Sequence, residues 1–188
     1  MAVFCEKGYE GTSFEDLTRA TGVARPGLYA AFGNKESLLF KAIDRYDAEY
    51  ITYLLEALAE PKVHDAVRRF FEGSIEVQTL GGVGRACAVM NGALACSGEA
   101  EPIRHELIAR QKLSEDAWRV RFERGLLEGD LPPSTDCAML ANYLMALNQG
   151  LGVQAKAGAP RERLRAVAEY VLSTWPDAVK ALAEQNTK

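Results

Sequence analysis

Residues 23–39 read VARPGLYAAFGNKESLL, and the fold turns on what this stretch does. Pro26 and Gly27 fall in the first turn of a very short helix, where a missing backbone N–H costs little because it has no partner inside the helix. Gly33 and Asn34 end that helix, and the Asn34 side chain is suited to cap a much longer one that follows. A short helix stiffened at its start and bare on one face at Gly27 is built to present a surface to a partner.

Working upstream, Thr12 and Ser13 offer side-chain oxygens as caps for a helix over 14–20. Glu15 and Asp16 lie in its first turn, where negative charge suits the helix dipole. Thr21-Gly22 stops this helix, and Leu17, Val23 and Leu28 supply a small core. Helix, tight glycine turn, helix is the geometry whose second member enters the DNA major groove. From Leu17 through Lys35 there is no Asp or Glu, while Arg19, Arg25 and Lys35 are basic, in a chain of net charge −4. A polyanion is the partner that such a window fits. The planar fork of Arg25 suits guanine or phosphate, and Lys35 opens a helix whose free N–H groups can hold a phosphate.

At this point the chain resembles the TetR/AcrR family of bacterial transcriptional regulators. GYEGTSFEDLTRATGV (8–23) followed by ARPGLYAAFGNKESLL (24–39) carries G-Y-x-x-T-S, a G-V turn, L-Y-x-x-F and K-E-x-L at that family's spacing. GRACAVMNGAL (84–94), EGDLPPSTD (128–136) and LNQGLGVQAKAGA (147–159) resemble the effector-binding half of an AcrR-like branch. The resemblance implies that Thr12 and Ser13 meet the DNA backbone, that Arg25, Pro26 and Gly27 lie against base edges, and that Tyr29 and Lys35 contact phosphates. It further implies a ligand-responsive homodimer on a pseudo-palindromic operator, with a repressor released by a small-molecule effector as the expected mode. Ala24 departs from the family's usual Ser or Thr cap, Thr18 replaces a small packing residue, and the first helix is short, which implies a truncated start.

Downstream the apolar residues keep a helical period throughout, and no alternating strand emerges. Helices are expected over 1–7, over 34–60 with Pro61 as the stop, and over 63–80, 86–96, 102–128, 136–156 and 161–175, the last halted by Pro176. The expected fold is all-α: a helix-turn-helix domain over 1–45, joined by a long helix to a helical effector-binding and dimerisation domain over 46–188. In the segment 136–175, small residues (Ala138, Ala141, Ala146, Gly150, Gly152) alternate with Leu140, Leu144, Leu147 and Leu151. Such a pattern lets two helices approach closely, which suits a dimer face or an ordinary buried helix.

Candidate effector contacts are Phe70, Phe71, Met90, Asn91, Trp118, Phe122, Tyr143 and Gln149. The aromatic and methionine positions serve equally well as plain core, whereas Asn91 and Gln149 are amides on apolar helices and must find partners. Cys87 opens the helix after GGVGR, where a thiol's pKa can fall; an electrophile or oxidant sensor is the alternative to reversible effector binding, and a small buried hydrophobe is the plainer role.

Composition fits an ordinary globular chain, at 48% hydrophobic and 26% charged residues. No apolar run approaches the roughly 20 residues of a membrane span, and MAVFCEKGYE lacks the pattern of a secretory leader. Cysteines 5, 87, 96 and 137 form no CxxC pair, and the histidines are His64 and His105 alone. No metal site, cofactor or disulfide framework is therefore expected, and a reducing cytoplasm fits. Nor is there a nucleophile–base pairing, an HExxH or a phosphate loop, so an enzyme is not expected.

Overall fold

The computed structural model describes residues 1–80 and 100–185, with side chains described as far as Trp175. Met90, Asn91 and Cys87, and the helix expected over 86–96, lie outside the described residues.

Nine helices make up the described chain: α1 (Ala2–Gly11), α2 (Phe14–Thr21), α3 (Arg25–Phe32), α4 (Lys35–Tyr50), α5 (Thr52–Ala59), α6 (Val63–Thr79), α7 (Glu101–Leu127), α8 (Cys137–Lys156) and α9 (Arg161–Gln185). The fold is all-α, as the period of the apolar residues requires. Local chemistry sets the starts. Ser13 accepts from the Asp16 N–H while the Asp16 carboxylate accepts from the Ser13 N–H, a reciprocal cap that satisfies two orphan donors of α2. Asn34 accepts from Ser37 N–H at 2.7 Å to start α4, and Asp136 accepts from the N–H groups of Ala138 and Met139 to start α8. Gly22 closes α2 at φ 71, a left-handed conformation that costs glycine nothing.

Two boundaries differ from expectation. The long helix over 34–60 is broken at Ile51 (φ −100, ψ 12) into α4 and α5. The run Tyr50-Ile51-Thr52-Tyr53 concentrates aromatic and β-branched residues, which hold a helix poorly, and Tyr53 instead packs on Phe70 of α6. The last helix passes through Pro176 rather than stopping before it. Leu172 and Trp175, both buried, anchor the turn that precedes the proline.

The body is α5 to α9 around one core. Phe70 meets Trp118 edge-on at 5.0 Å, Trp118 meets Phe122 at 5.4 Å, Phe122 meets Trp175 at 6.1 Å, and Tyr143 stacks on Trp175 at 6.2 Å. This aromatic run ties α6, α7, α8 and α9 together, and each such pair adds about 0.5–1.5 kcal/mol beyond simple burial. Gly73 lets α5 and α6 close up, since a Cβ there would collide with the Tyr53 ring.

Buried polar groups fix the register of the body. Ser74 Oγ donates to Asn148 Oδ1 at 2.6 Å, and Gln78 Nε2 donates to Ser74 Oγ at 2.8 Å, a clasp between α6 and α8. Arg121 is 3% exposed. Its Nη2 donates to the carbonyls of Glu60 and Pro61, and Arg124 Nη2 donates to Glu60 as well, so α7 caps the end of α5. Burial, with Arg124 beside it, pushes the Arg121 pKa down.

The N-terminal head has a second, smaller core of Phe4, Leu17, Leu28, Leu39 and Ile43. Val23, expected in it, is instead 43% exposed. Three further members come from the far side of the chain: Ala100, Ile103 and Leu107, at the start of α7, close the same cluster. At the far end of this contact, Arg110 grips α4. Its Nη1 donates to Asp47 at 2.9 Å, its Nη2 to Asp44 at 2.6 Å and its Nε to Glu106 at 2.8 Å.

Candidate nucleic-acid interface

The surface that could face DNA is assembled from the start of α2 and one side of α3. Arg25, Pro26, Gly27 and Tyr29 are all exposed, while Leu28, with the partly buried Phe32, turns inward to hold the helix to the head core. Arg19 adds a cation that is 78% exposed and only loosely paired with Asp16 at 3.6 Å. Pro26 stands in the first turn of α3, and no side chain caps that helix at Ala24. Thr21 Oγ1 supports the turn instead, accepting from the Val23 N–H at 3.2 Å. Gly27 has a packing role besides its bareness, because a Cβ there would sit 3.0 Å from Val23 Cγ1.

Two of the expected contact residues are engaged inside the head. Thr12 is 1% exposed and its hydroxyl donates to the Gly8 carbonyl at 2.6 Å. It therefore neither caps α2 nor offers its side chain to a phosphate; Ser13 alone is the cap. Lys35 is placed at the start of α4 as expected, but its ammonium donates to the carbonyls of Tyr9 and Thr12 at 2.8 and 2.9 Å and lies 4.3 Å from the Tyr9 ring centroid. The charge that looked free for a polyanion holds the end of α1 against α4. Ser13 remains exposed, with its hydroxyl donating to Asp16 Oδ2 at 2.9 Å.

The Asp16 carboxylate is the electrostatic pivot of the head. Its pKa is lowered to about 2, first by the Lys7 ammonium that donates to it and then by the N–H and hydroxyl of Ser13. It joins α1 to α2 without offering net negative charge to the face of α3.

The residues proposed from sequence for an effector come together in part. Phe70, Phe71, Trp118 and Phe122 are at most 2% exposed and pack on one another in the body core, while Tyr143 sits at its edge. Gln149 is only half-buried; the amide that is sealed in the body is its neighbour Asn148. A groove of about 490 Å3 runs between α5, α6 and α9, walled by Tyr53, Phe71 and Leu172 and rimmed by Arg68, Arg69 and Glu169. A second, of about 540 Å3, lies between α4, α5 and α7 beside Arg110 and is lined by Ile51, Leu54, Leu55 and Leu113. Sequence reasoning missed both, since each depends on how distant helices cross. Cys5 and Cys137 are buried and in no disulfide, and burial, with Glu123 nearby, pushes the Cys137 thiol up, away from thiolate chemistry. Among the described residues no group of histidine, cysteine or carboxylate side chains could hold a metal ion, and no helix is long and apolar enough to cross a membrane.

An all-helical chain with a helix-turn-helix head presenting an acid-free cationic helix defines a DNA-binding transcriptional regulator. This chain belongs to the TetR family: the model for bacterial regulatory proteins of the tetR family matches residues 1–42. It is 32% identical to the HTH-type transcriptional repressor ComR of Escherichia coli (strain K12) over 96% of this chain and 87% of ComR. Among solved structures, a cysteine-substituted variant of the TetR family regulator CifR in complex with a 26-bp operator duplex shares the fold with a TM-score of 0.86, at 38% identity over 93% of this chain and 92% of that one. PfmR from Thermus thermophilus matches with a TM-score of 0.68 at 25% identity, over 90% and 92% of the two chains.

Proposed function

We propose that this regulator is a homodimeric repressor that holds a pseudo-palindromic operator with two copies of α3 and releases it when a small-molecule effector binds the body. The observation that carries the reading is the exposed set Arg25, Pro26, Gly27 and Tyr29 on a helix without an acid, in a chain that shares its fold with CifR, solved on operator DNA. Arg25 and the bare edge at Gly27 would address bases, and Tyr29 and Ser13 would address phosphates. Lys35 and Thr12 act from within, by fixing the head around them. A cytoplasmic location follows from that role, and no cofactor is called for.

The outer faces of α8 and α9 support the dimer. Ala138, Met139, Ala146, Gly150 and Val153 of α8 point outward with Tyr170 of α9, which is 72% exposed, whereas Ala141, Gly152, Leu140, Leu144 and Leu151 point into the body. Small side chains along an exposed helix permit the close approach of a second copy across a two-fold axis. Effector control has its support in α7. One end of α7 closes the head core and its middle packs in the body core, so a ligand that favours one placement of α7 favours one placement of the head. Its leverage is bounded by the difference in its affinity for the two placements.

The test is selection of a duplex from a random-sequence pool by the full chain, followed by sedimentation of the complex. The reading expects an inverted repeat carrying a two-fold set of chains; no enriched repeat, or one chain per duplex, would contradict it.

A further inference from the structure

The reading side chains on α3 are not held by α3 alone. Phe14, the first residue of α2, stacks on Tyr29 with ring centroids 4.5 Å apart and planes 19° from parallel. The guanidinium carbon of Arg25 lies 5.1 Å from the Phe14 centroid and 5.5 Å from that of Tyr29. With the rings themselves 4.5 Å apart, these distances place the guanidinium alongside the pair, touching both, and not between them. Its Nη2 also donates to Tyr29 Oη at 3.3 Å. Among the described residues Arg25 makes no ion pair, although the charge of Glu15 reaches it.

A cation over a ring within about 6 Å of its centroid gains electrostatic attraction from it, and with Nη2 committed to Tyr29 the other guanidinium N–H groups stay available to donate. Phe14 itself is half-buried and packs against the head core, so its ring is a fixed object against which two exposed side chains are set. The order in which an arginine must be immobilised on binding is then partly established beforehand, and that lowers the entropic cost of the contact.

We infer that Phe14 is a positioning residue of the DNA-reading surface: it holds Tyr29 and Arg25 as one preformed unit, without touching DNA. The inference rests on the DNA-binding reading above. It assigns a role across the two helices that neither the acid-free window nor the spacing of α3 discloses.

A double-mutant cycle tests it, using the full chain, the duplex enriched by the wild-type protein and fluorescence anisotropy, at a temperature where every variant is folded by circular dichroism. Phe14→Leu keeps apolar bulk but removes the ring, and should weaken binding about five-fold, the order of one exposed cation–ring contact. Arg25→Ala should weaken it further, and Phe14→Leu combined with Arg25→Ala should cost less than the product of the two single losses, because only the share of Phe14 that acts through Tyr29 remains to be lost. Phe14→Tyr, which retains the ring, should bind as wild type. If the two losses multiply, or Phe14→Leu binds as wild type while Arg25→Ala is impaired, the positioning role is wrong and the DNA-binding reading stands. If Arg25→Ala itself binds as wild type, the positioning role and the assignment of Arg25 to the reading surface both fall.

Discussion

The body gathers Phe70, Phe71, Trp118, Phe122 and Trp175 into one continuous aromatic core, whereas the head rests on a handful of side chains and draws in Ala100, just before α7, with Ile103 and Leu107 of α7. The reason is size. A unit of three short helices cannot bury enough apolar surface alone to be robust, and in this chain part of the deficit is made up by a helix of the other region. Polar contacts follow the same division. The body adds sealed clasps such as Ser74–Asn148 to its surface ion pairs, while the head relies on exposed or partly exposed charge: Lys7–Asp16, Lys35 on the Tyr9 and Thr12 carbonyls, and Arg110 on Asp44 and Asp47. We infer that a head built this way depends on α7 for its stability, a dependence that would give the body a hold on DNA binding.

The comparison can be broken at several points, and the largest effect belongs to the body. Trp118→Ala removes the ring shared by Phe70 and Phe122, and should cost about 3–5 kcal/mol, seen as a fall of roughly 10 °C in the melting midpoint for a chain of this size. Because the whole fold loosens, far-ultraviolet circular dichroism and tryptophan fluorescence should report one common transition.

Arg110→Met should cost less, about 1–3 kcal/mol, because it removes charge-assisted hydrogen bonds at a partly exposed site. Its signature is regional and depends on pH. Burial already raises the Asp47 carboxyl above its ordinary value, with Arg110 opposing. A raised carboxyl binds more protons folded than unfolded, so its share of stability grows as pH falls toward the carboxylate range. Without Arg110 the Asp47 pKa should rise further, and the variant should recover part of its lost stability between neutral pH and about pH 5. A deficit that stays constant across that range would show that Asp47 is not held by Arg110.

The smallest effect is confined to the head. Asp16 titrates at about 2 in the fold against an ordinary 3.8. Its stabilising share is complete above the ordinary value and disappears as pH falls through about 2. Asp16→Asn should therefore flatten the acid unfolding of the head between about pH 4 and pH 2, followed by circular dichroism, and leave the neutral-pH behaviour of the body unchanged.

Much of the head was legible in the sequence because its signals are local. Ser13 with Asp16, Gly22, Pro26 and Asn34 each act within a few residues, and each appears in the structure at the boundary it marks. What escaped depends on distant neighbours. Thr12 and Lys35 look alike as exposed polar residues until α1 folds back and supplies carbonyls for both. Gln149 and Asn148 are adjacent amides on one apolar helix, and only the rotation of α8 decides which of them meets Ser74. Arg121 lies on a charged helix and is covered by the end of α5, 60 residues away in sequence. The break at Ile51 carries no glycine or proline, so only packing against α6 discloses it. Phe14 marks only a helix start in the sequence, and its stack on Tyr29 appears only when α2 and α3 are set side by side.

Hydrogen exchange on Leu107→Ala tests the dependence of the head on α7 most directly. Leu107 is 1% exposed in the head cluster, and its truncation should cost about 2–5 kcal/mol. The account predicts that amides of α2 and α3, including Leu17 and Leu28, lose protection in this variant while those of α6 and α8 keep it, and that operator binding weakens in step. Unchanged protection in α2 and α3, or equal loss in both regions, would contradict it.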